Sequence, residues 1–271
     1  MFKEYLGDWI NILGHQKAAL QMLTNLFSSP EMAMQSPLGR MAFLWYSRYD
    51  AFIAVMGGFP TAVPRAWFTT FIEKSRELIS QNPGDLERRL EEAEARLRLI
   101  SVDMSYLYHK GHRGEITPEE FSADHARITG HLQQWQQTLD PAITDSAYEV
   151  REFPDQKQLD ERDIVDPYAP GLLYQGPLLS TALVMTQFHS IAVMHESQST
   201  TARKDLMYAA LREHSTAICQ RFEALERWPA APRGALVPIQ ACIAISALFM
   251  PQDARHHNWA RRKFALMETL G

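Results

Sequence analysis

Apolar residues along this chain recur at steps of three and four, and no stretch of convincing length alternates them with polar ones, so the pattern predicts helices throughout and no sheet. From Leu86 onward Leu90, Ala93, Leu97, Ile100, Met104 and Leu107 alternate steps of four and three, the heptad spacing of a long helix lying along a neighbour of similar length. Asp8 to Phe27 keeps Trp9, Ile12, Leu20, Leu23 and Phe27 toward one face. Between these, Arg40 to Trp67 begins as a helix with almost no polar face, carrying Met41, Phe43, Leu44, Trp45, Phe52, Ile53, Val55 and Met56, and such a helix is expected to be buried inside a bundle. The expected fold is all-α, one large helical bundle over residues 1–271 with a long irregular connector or flap at 140–170.

The punctuation agrees with the period. Ser36 can cap the central helix, Pro37 suits its first position, and Gly57-Gly58 stop it. Pro60 and Pro64 then impose an irregular link, a helix resumes near Arg65, and Asn82-Pro83-Gly84 ends it. Lys110-Gly111-His112 closes the heptad helix, and Thr117-Pro118-Glu119-Glu120 opens another with the residues of a capping box, running to about Leu139. After the proline-rich connector, Leu178 to His195 reads as a second helix apolar on most faces. Amphipathic residues from about Thr200 to Trp228, an apolar helix to Met250 and a basic terminal helix complete the chain.

Charge enters where the pattern is most apolar. Arg48 and Asp50 sit inside the central helix, where an unpaired buried charge costs several kcal/mol in order of magnitude. Two positions apart, they cannot pair with each other on one helix. Each therefore needs a partner on another element or a ligand. Trp45, Tyr46, Trp67 and Met185 are core residues by spacing, and the same side chains would line and orient a ligand pocket. Trp45, Tyr46, Arg48, Asp50, Trp67 and Met185 are thus the expected ligand-binding set if such a pocket exists.

Overall composition narrows the partners. With 27 basic and 32 acidic residues the net charge is -5, which argues against direct nucleic-acid binding by this chain. Cys219 and Cys242 supply neither a disulfide framework nor a thiolate zinc site, and a reducing compartment fits them best. The first ten residues, MFKEYLGDWI, lack the apolar run of a signal peptide and read as mature protein. The most apolar windows fall short of the roughly 20 residues of a membrane span, so no span is expected. Neither a metal nor a cofactor is expected: the ten histidines are scattered, and there is no serine elbow, no HExxH and no phosphate-binding glycine loop. Were the domain an enzyme, His189, His195 and Tyr174, on or beside a core helix under the connector, are the first catalytic candidates.

Three stretches together resemble the regulatory domain of fungal zinc binuclear cluster transcription factors, in the branch that includes the fungal sterol-sensing regulators. They are SPLGRMAFLWYSRYDAFIAVMGGFPTAVPRAWF, DPYAPGLLYQGPLLSTALVM and the terminal NWARRKFALMETLG. The resemblance runs roughly from Trp9 to Gly271. It implies a regulatory domain that senses a small hydrophobic ligand, pairs as a homodimer and acts in the nucleus. The family's six-cysteine DNA-binding cluster has no counterpart among these residues. That departure motivates a second expectation, a stand-alone cytoplasmic relative that binds or converts a metabolite of a fungal biosynthetic pathway. A third is a scaffold that recruits co-regulators through helices such as Leu86 to Leu107.

Overall fold

The computed structural model describes residues 9–200, 202–232 and 234–270, so most of the N-terminal stretch read as mature sequence, and the final Gly271 of the third motif, lie outside the described residues. So do the side chains of Trp9 and Ile12. The described residues form α-helices and short 3-10 turns with no strand, so the chain is all-α. Contacts group it into two compact units, Met1–Thr138 and Leu139–Gly271.

The first unit holds α1 (Trp9–Leu26), α2 (Pro30–Gln35), α3 (Pro37–Gly57), α4 (Arg65–Gln81), α5 (Leu86–His112) and α6 (Pro118–Gln137). The heptad helix α5 is its spine, packing against α3, α4 and α6. Leu90, Ala93, Leu97, Ile100, Met104 and Leu107 are all buried, as their spacing predicts. An aromatic cluster fills the α3/α4 contact, with Phe43 stacked 5.2 Å from Phe71 and 6.0 Å from Trp67. Trp135 of α6 donates its indole N–H to the Ala93 carbonyl at 2.8 Å.

Caps fall where the sequence places them. The Ser36 hydroxyl accepts from the Gly39 amide, and Thr117 and Glu120 form a reciprocal capping box. Gly58 takes the left-handed conformation at φ 66°, and a Cβ there would lie 2.4 Å from the His112 ring, so glycine is required for the turn and for the space.

Helix α3 departs from the expectation that it is buried all round. Its inner face holds Phe43, Tyr46, Ile53 and Ala54, whereas Leu38, Met41, Trp45 and Met56 are exposed. The neighbours cover the inner face and leave these apolar side chains along the outer one.

The second unit holds α7 (Leu179–Glu196), α8 (Lys204–Arg227), α9 (Gln240–Ala247) and α10 (Ala254–Leu270). The long helices α7 and α8 pack together, and α9 packs against both. Residues 140–170 have the irregular backbone expected of a connector, yet Ile143, Val150 and Phe153 are buried in the core. Phe153 meets Tyr168 and Trp228 edge-on at 5.0 and 5.4 Å. A single bridge joins Glu149 to Tyr174, with the Val150 amide donating to Leu173 at 2.9 Å.

Gly176–Glu196, at 21 residues, is long and apolar enough to cross a membrane, longer than the sequence window suggested. With 67% of its most apolar window buried, it has the character of a core helix. Cys219 and Cys242 are both buried and are not joined in a disulfide. Burial pushes the Cys219 thiol up to about 12.

Candidate functional site

The charges of α3 turn out to have partners of their own. Asp50 is fully buried and accepts from the Ala62 and Val63 amides, both at 2.9 Å, and from the Gln16 side chain. Burial raises its pKa even against those three hydrogen bonds. Because both amides belong to the Pro60 to Pro64 link, the carboxylate fastens the turn that follows α3. Arg48 instead reaches α5, where its guanidinium donates to Glu94 Oε1 at 2.7 and 3.2 Å, and Arg98 stands 3.6 Å from the same oxygen. The Tyr46 hydroxyl donates to the Gln16 carbonyl at 3.0 Å, and Trp67 is packed against Phe43. Trp45 lies at 65% exposure on the outer face, apart from these contacts. Met185 belongs to the second unit and is half-buried on α7. Within the first unit the structure therefore does not gather Trp45, Tyr46, Arg48, Asp50 and Trp67 into one site.

Clefts open on the surface of each unit. One in the first unit, of about 310 Å³, is lined by Ile72, Leu99, Ile100, Trp135, His131 and Gln134 among others. Two of its rim cations already have a partner, Glu92 standing 3.0 Å from Arg76 and 3.8 Å from Arg96. The other, of about 460 Å³ in the second unit, is lined by Glu161, Arg162, Arg255, Asn258 and Arg262. There Arg162 is paired with Asp160, and the Arg262 guanidinium donates to the Arg162 carbonyl at 2.9 Å.

The distinctive polar arrangement is between α7 and α8. His189 and His214 face each other with their Nδ1 atoms 2.8 Å apart, and His214 Nε2 lies 3.4 Å from Glu196 Oε1. His189 and Glu196 are seven positions apart on α7, as are His214 and Arg221 on α8, so each pair occupies one stripe of its helix. Toward the start of α7, Arg221 acts electrostatically on both His189 and Tyr174. A file of polar groups, Tyr174, Arg221, His189, His214 and Glu196, thus runs along helices that are otherwise packed with Ala182, Phe188, Leu211, Ile218 and Phe222.

One arrangement of the protons satisfies this geometry. If His214 donates from Nε2 to the Glu196 carboxylate, its Nδ1 must accept, and His189 must donate from Nδ1. His189 Nε2 then carries an available lone pair. Burial first, then Arg221 and His214, pull the His189 pKa down to about 2, so its imidazole is neutral at every physiological pH. Glu196 Oε2 and Ser215 Oγ, in the same pair of helices, are buried without a hydrogen-bond partner among the described residues.

Of the three catalytic candidates, His189 and Tyr174 share this file. His195, about 240° round α7 from His189, is wholly buried and off that face. His214, Arg221 and Glu196 escaped sequence reading because their stripe is visible only once α7 and α8 are known to face each other. Among the described residues, no group of three or more His, Cys, Asp and Glu side chains is placed to hold a metal ion. A scan against protein-family models finds no match to this chain, and neither do searches of curated proteins and of solved structures.

Proposed function

We propose that the chain is a helical regulatory domain that senses a small, largely apolar molecule, and that α7 and α8 hold the polar end of that ligand. What supports the reading is the neutral His189 beside His214 and Glu196, because this relay leaves an acceptor nitrogen in an apolar helix pair. Small-molecule sites are commonly of this kind, apolar surroundings with a few convergent polar groups. The regulatory role, and with it a nuclear setting, comes from the three stretches that resemble fungal zinc binuclear cluster regulators. Such a ligand acts by binding one packing of the helices better than another.

The test is thermal unfolding and protein-observed NMR with octan-1-ol, whose hydroxyl can donate to His189 Nε2. A higher melting temperature and shifts centred on α7 and α8, both lost in His189→Phe, are expected. Saturating octan-1-ol with no effect on either would remove the reading.

A second copy of this chain is the partner that suits the outer face of α3. Leu38 and Trp45 are seven residues apart on it, and Met41 and Met56 add exposed apolar surface, a mostly apolar strip, with Arg48 beside it turned to Glu94, that can serve both sides of a two-fold axis. Sedimentation should report a dimer that Trp45→Glu converts to monomer. A wild-type monomer at high concentration would exclude the pairing.

The alternative reading, conversion of a metabolite, is favoured by His214 standing between Glu196 and His189 as an orienting group does for a base. A conjugate acid with a pKa of about 2 makes His189 a weak proton acceptor near neutrality, where general bases are usually tuned close to the working pH. Recognition is therefore the stronger reading.

A further inference from the structure

Arg221 differs from the other sheltered cations of the chain. Arg40, Arg98 and Lys263 are more than nine-tenths buried, and each has a carboxylate oxygen within 3.6 Å, from Glu91, Glu94 and Glu223 respectively. Arg221 makes no ion pair among the described residues. Its one hydrogen bond there goes from Nη1 to the Ala217 carbonyl, 3.2 Å away and one turn back on its own helix. A guanidinium has five N–H donors in a planar fork, so most of this group's hydrogen-bonding capacity is uncommitted.

Its neighbours are neutral. The Tyr174 phenol is kept protonated by burial and by the Glu149 carboxylate, against the opposing charge of Arg221. His189 carries no charge, and Glu149, the acidic group on that side, is engaged with Arg151 at 2.8 Å. The position is also costly, since burial pulls the guanidinium pKa down to about 10. Both Arg221 and His189 retain some exposed surface, so a ligand from solvent has access to them.

We infer that Arg221, in the same polar file as Tyr174, is a receptor for the carboxylate of a small organic acid, whose apolar body lies along α7 and α8. A carboxylate suits the site because its two oxygens match a guanidinium fork in a bidentate pair, and the phenol adds one further donor. A phosphate ester carries more charge and more acceptor oxygens than one arginine and one phenol satisfy. The inference rests on the ligand-sensing reading above and adds the charge of the ligand's head.

The deciding experiment titrates the whole chain with sodium octanoate and with octan-1-ol, which share an apolar tail and differ at the head, by protein-observed NMR. Octanoate should bind at least about tenfold more tightly than the alcohol, the scale of a charge-assisted hydrogen-bonded pair. Arg221→Gln should bring the two affinities together while the circular dichroism of the helices is retained, and Tyr174→Phe should reduce the preference in part. If Arg221→Gln does not fold, the preference of the wild-type chain and its partial reduction in Tyr174→Phe decide the matter. Equal affinity for acid and alcohol, or a preference that survives Arg221→Gln, would overturn the carboxylate receptor and leave the ligand-sensing reading standing. Binding of neither probe would overturn both.

Discussion

The two units differ in how completely they match their sheltered charges. In the first, Asp50 is enclosed by two backbone amides and an amide side chain, and Arg48 and Arg98 converge on Glu94, so the ionised groups near α3 meet partners supplied by the fold itself. In the second, one network is equally complete: Glu223 receives Trp259, Lys263 and Arg227. A few residues along the same helix, Arg221 has no counter-charge among the described residues and His189 keeps an open nitrogen. A buried charge that is fully matched holds architecture together, since removing one partner strands the other. A sheltered group left unmatched has no such structural return, and that contrast is what separates the file between α7 and α8 from the more conspicuous charges of the central helix.

Substitution can break this contrast. The largest effects belong to the matched, buried groups. Asp50→Ala should destabilise the chain by about 3–5 kcal/mol, because the Ala62 and Val63 amides lose their acceptor. Trp67→Ala should cost a similar amount, about 3–5 kcal/mol, through lost packing against Phe43. Urea denaturation followed by circular dichroism measures both. A cost near zero at Asp50 would mean that its carboxylate serves something other than the fold.

His189 should show itself through pH. Its folded pKa of about 2 lies below the ordinary histidine value of about 6.5, so the unfolded chain takes up a proton that the folded one refuses. Its contribution to stability is complete above the unfolded value and declines as the pH falls from there toward the folded one, reaching a loss of roughly 1–2 kcal/mol by pH 5. The groups facing it are His214 and Arg221, with Glu196 beyond His214. Comparing wild type with His189→Phe at pH 7.5 and pH 5 isolates the term: the variant should lose less stability on acidification, and parallel losses would refute the buried neutral imidazole.

Smaller still is the cap of α6. Thr117→Ala removes one half of the capping box and should cost about 1 kcal/mol in the same denaturation assay. At the bottom of the scale, Trp45→Gln should change stability by no more than about 0.5 kcal/mol, since this indole is on the outer face. The ratio of the Trp67 to the Trp45 effect is the sharpest test of which side of α3 faces the core.

Much of the fold was legible in the sequence because it is written locally. The heptad from Leu90 to Leu107, the Ser36 and Thr117 caps and the Gly58 stop each depend on residues within a turn or two of one another. The requirement that Arg48 and Asp50 find separate partners was also legible, as a consequence of helical spacing. What could not be read were the partners themselves: Glu94 and the Ala62 and Val63 amides are matters of packing. The outer face of α3 was misjudged because an all-apolar sequence does not say how many sides the neighbours cover. The file between α7 and α8 was half visible, since His189 and Tyr174 stood out by location, while Arg221 looked like one more charge on an amphipathic helix.

The two cysteines have a practical consequence. Cys219 and Cys242 both lie in the second unit, enclosed, and the Cys219 thiol at a pKa of about 12 forms almost no thiolate near neutrality. An alkylating reagent therefore has to wait for this part of the chain to open, and the mass added per minute becomes a clock for that event, set by nature and needing no engineered label. Because the first unit contains no cysteine, the clock is silent about it. A compound that slows the clock would thus reveal itself as a stabiliser of the second unit, whatever its chemistry.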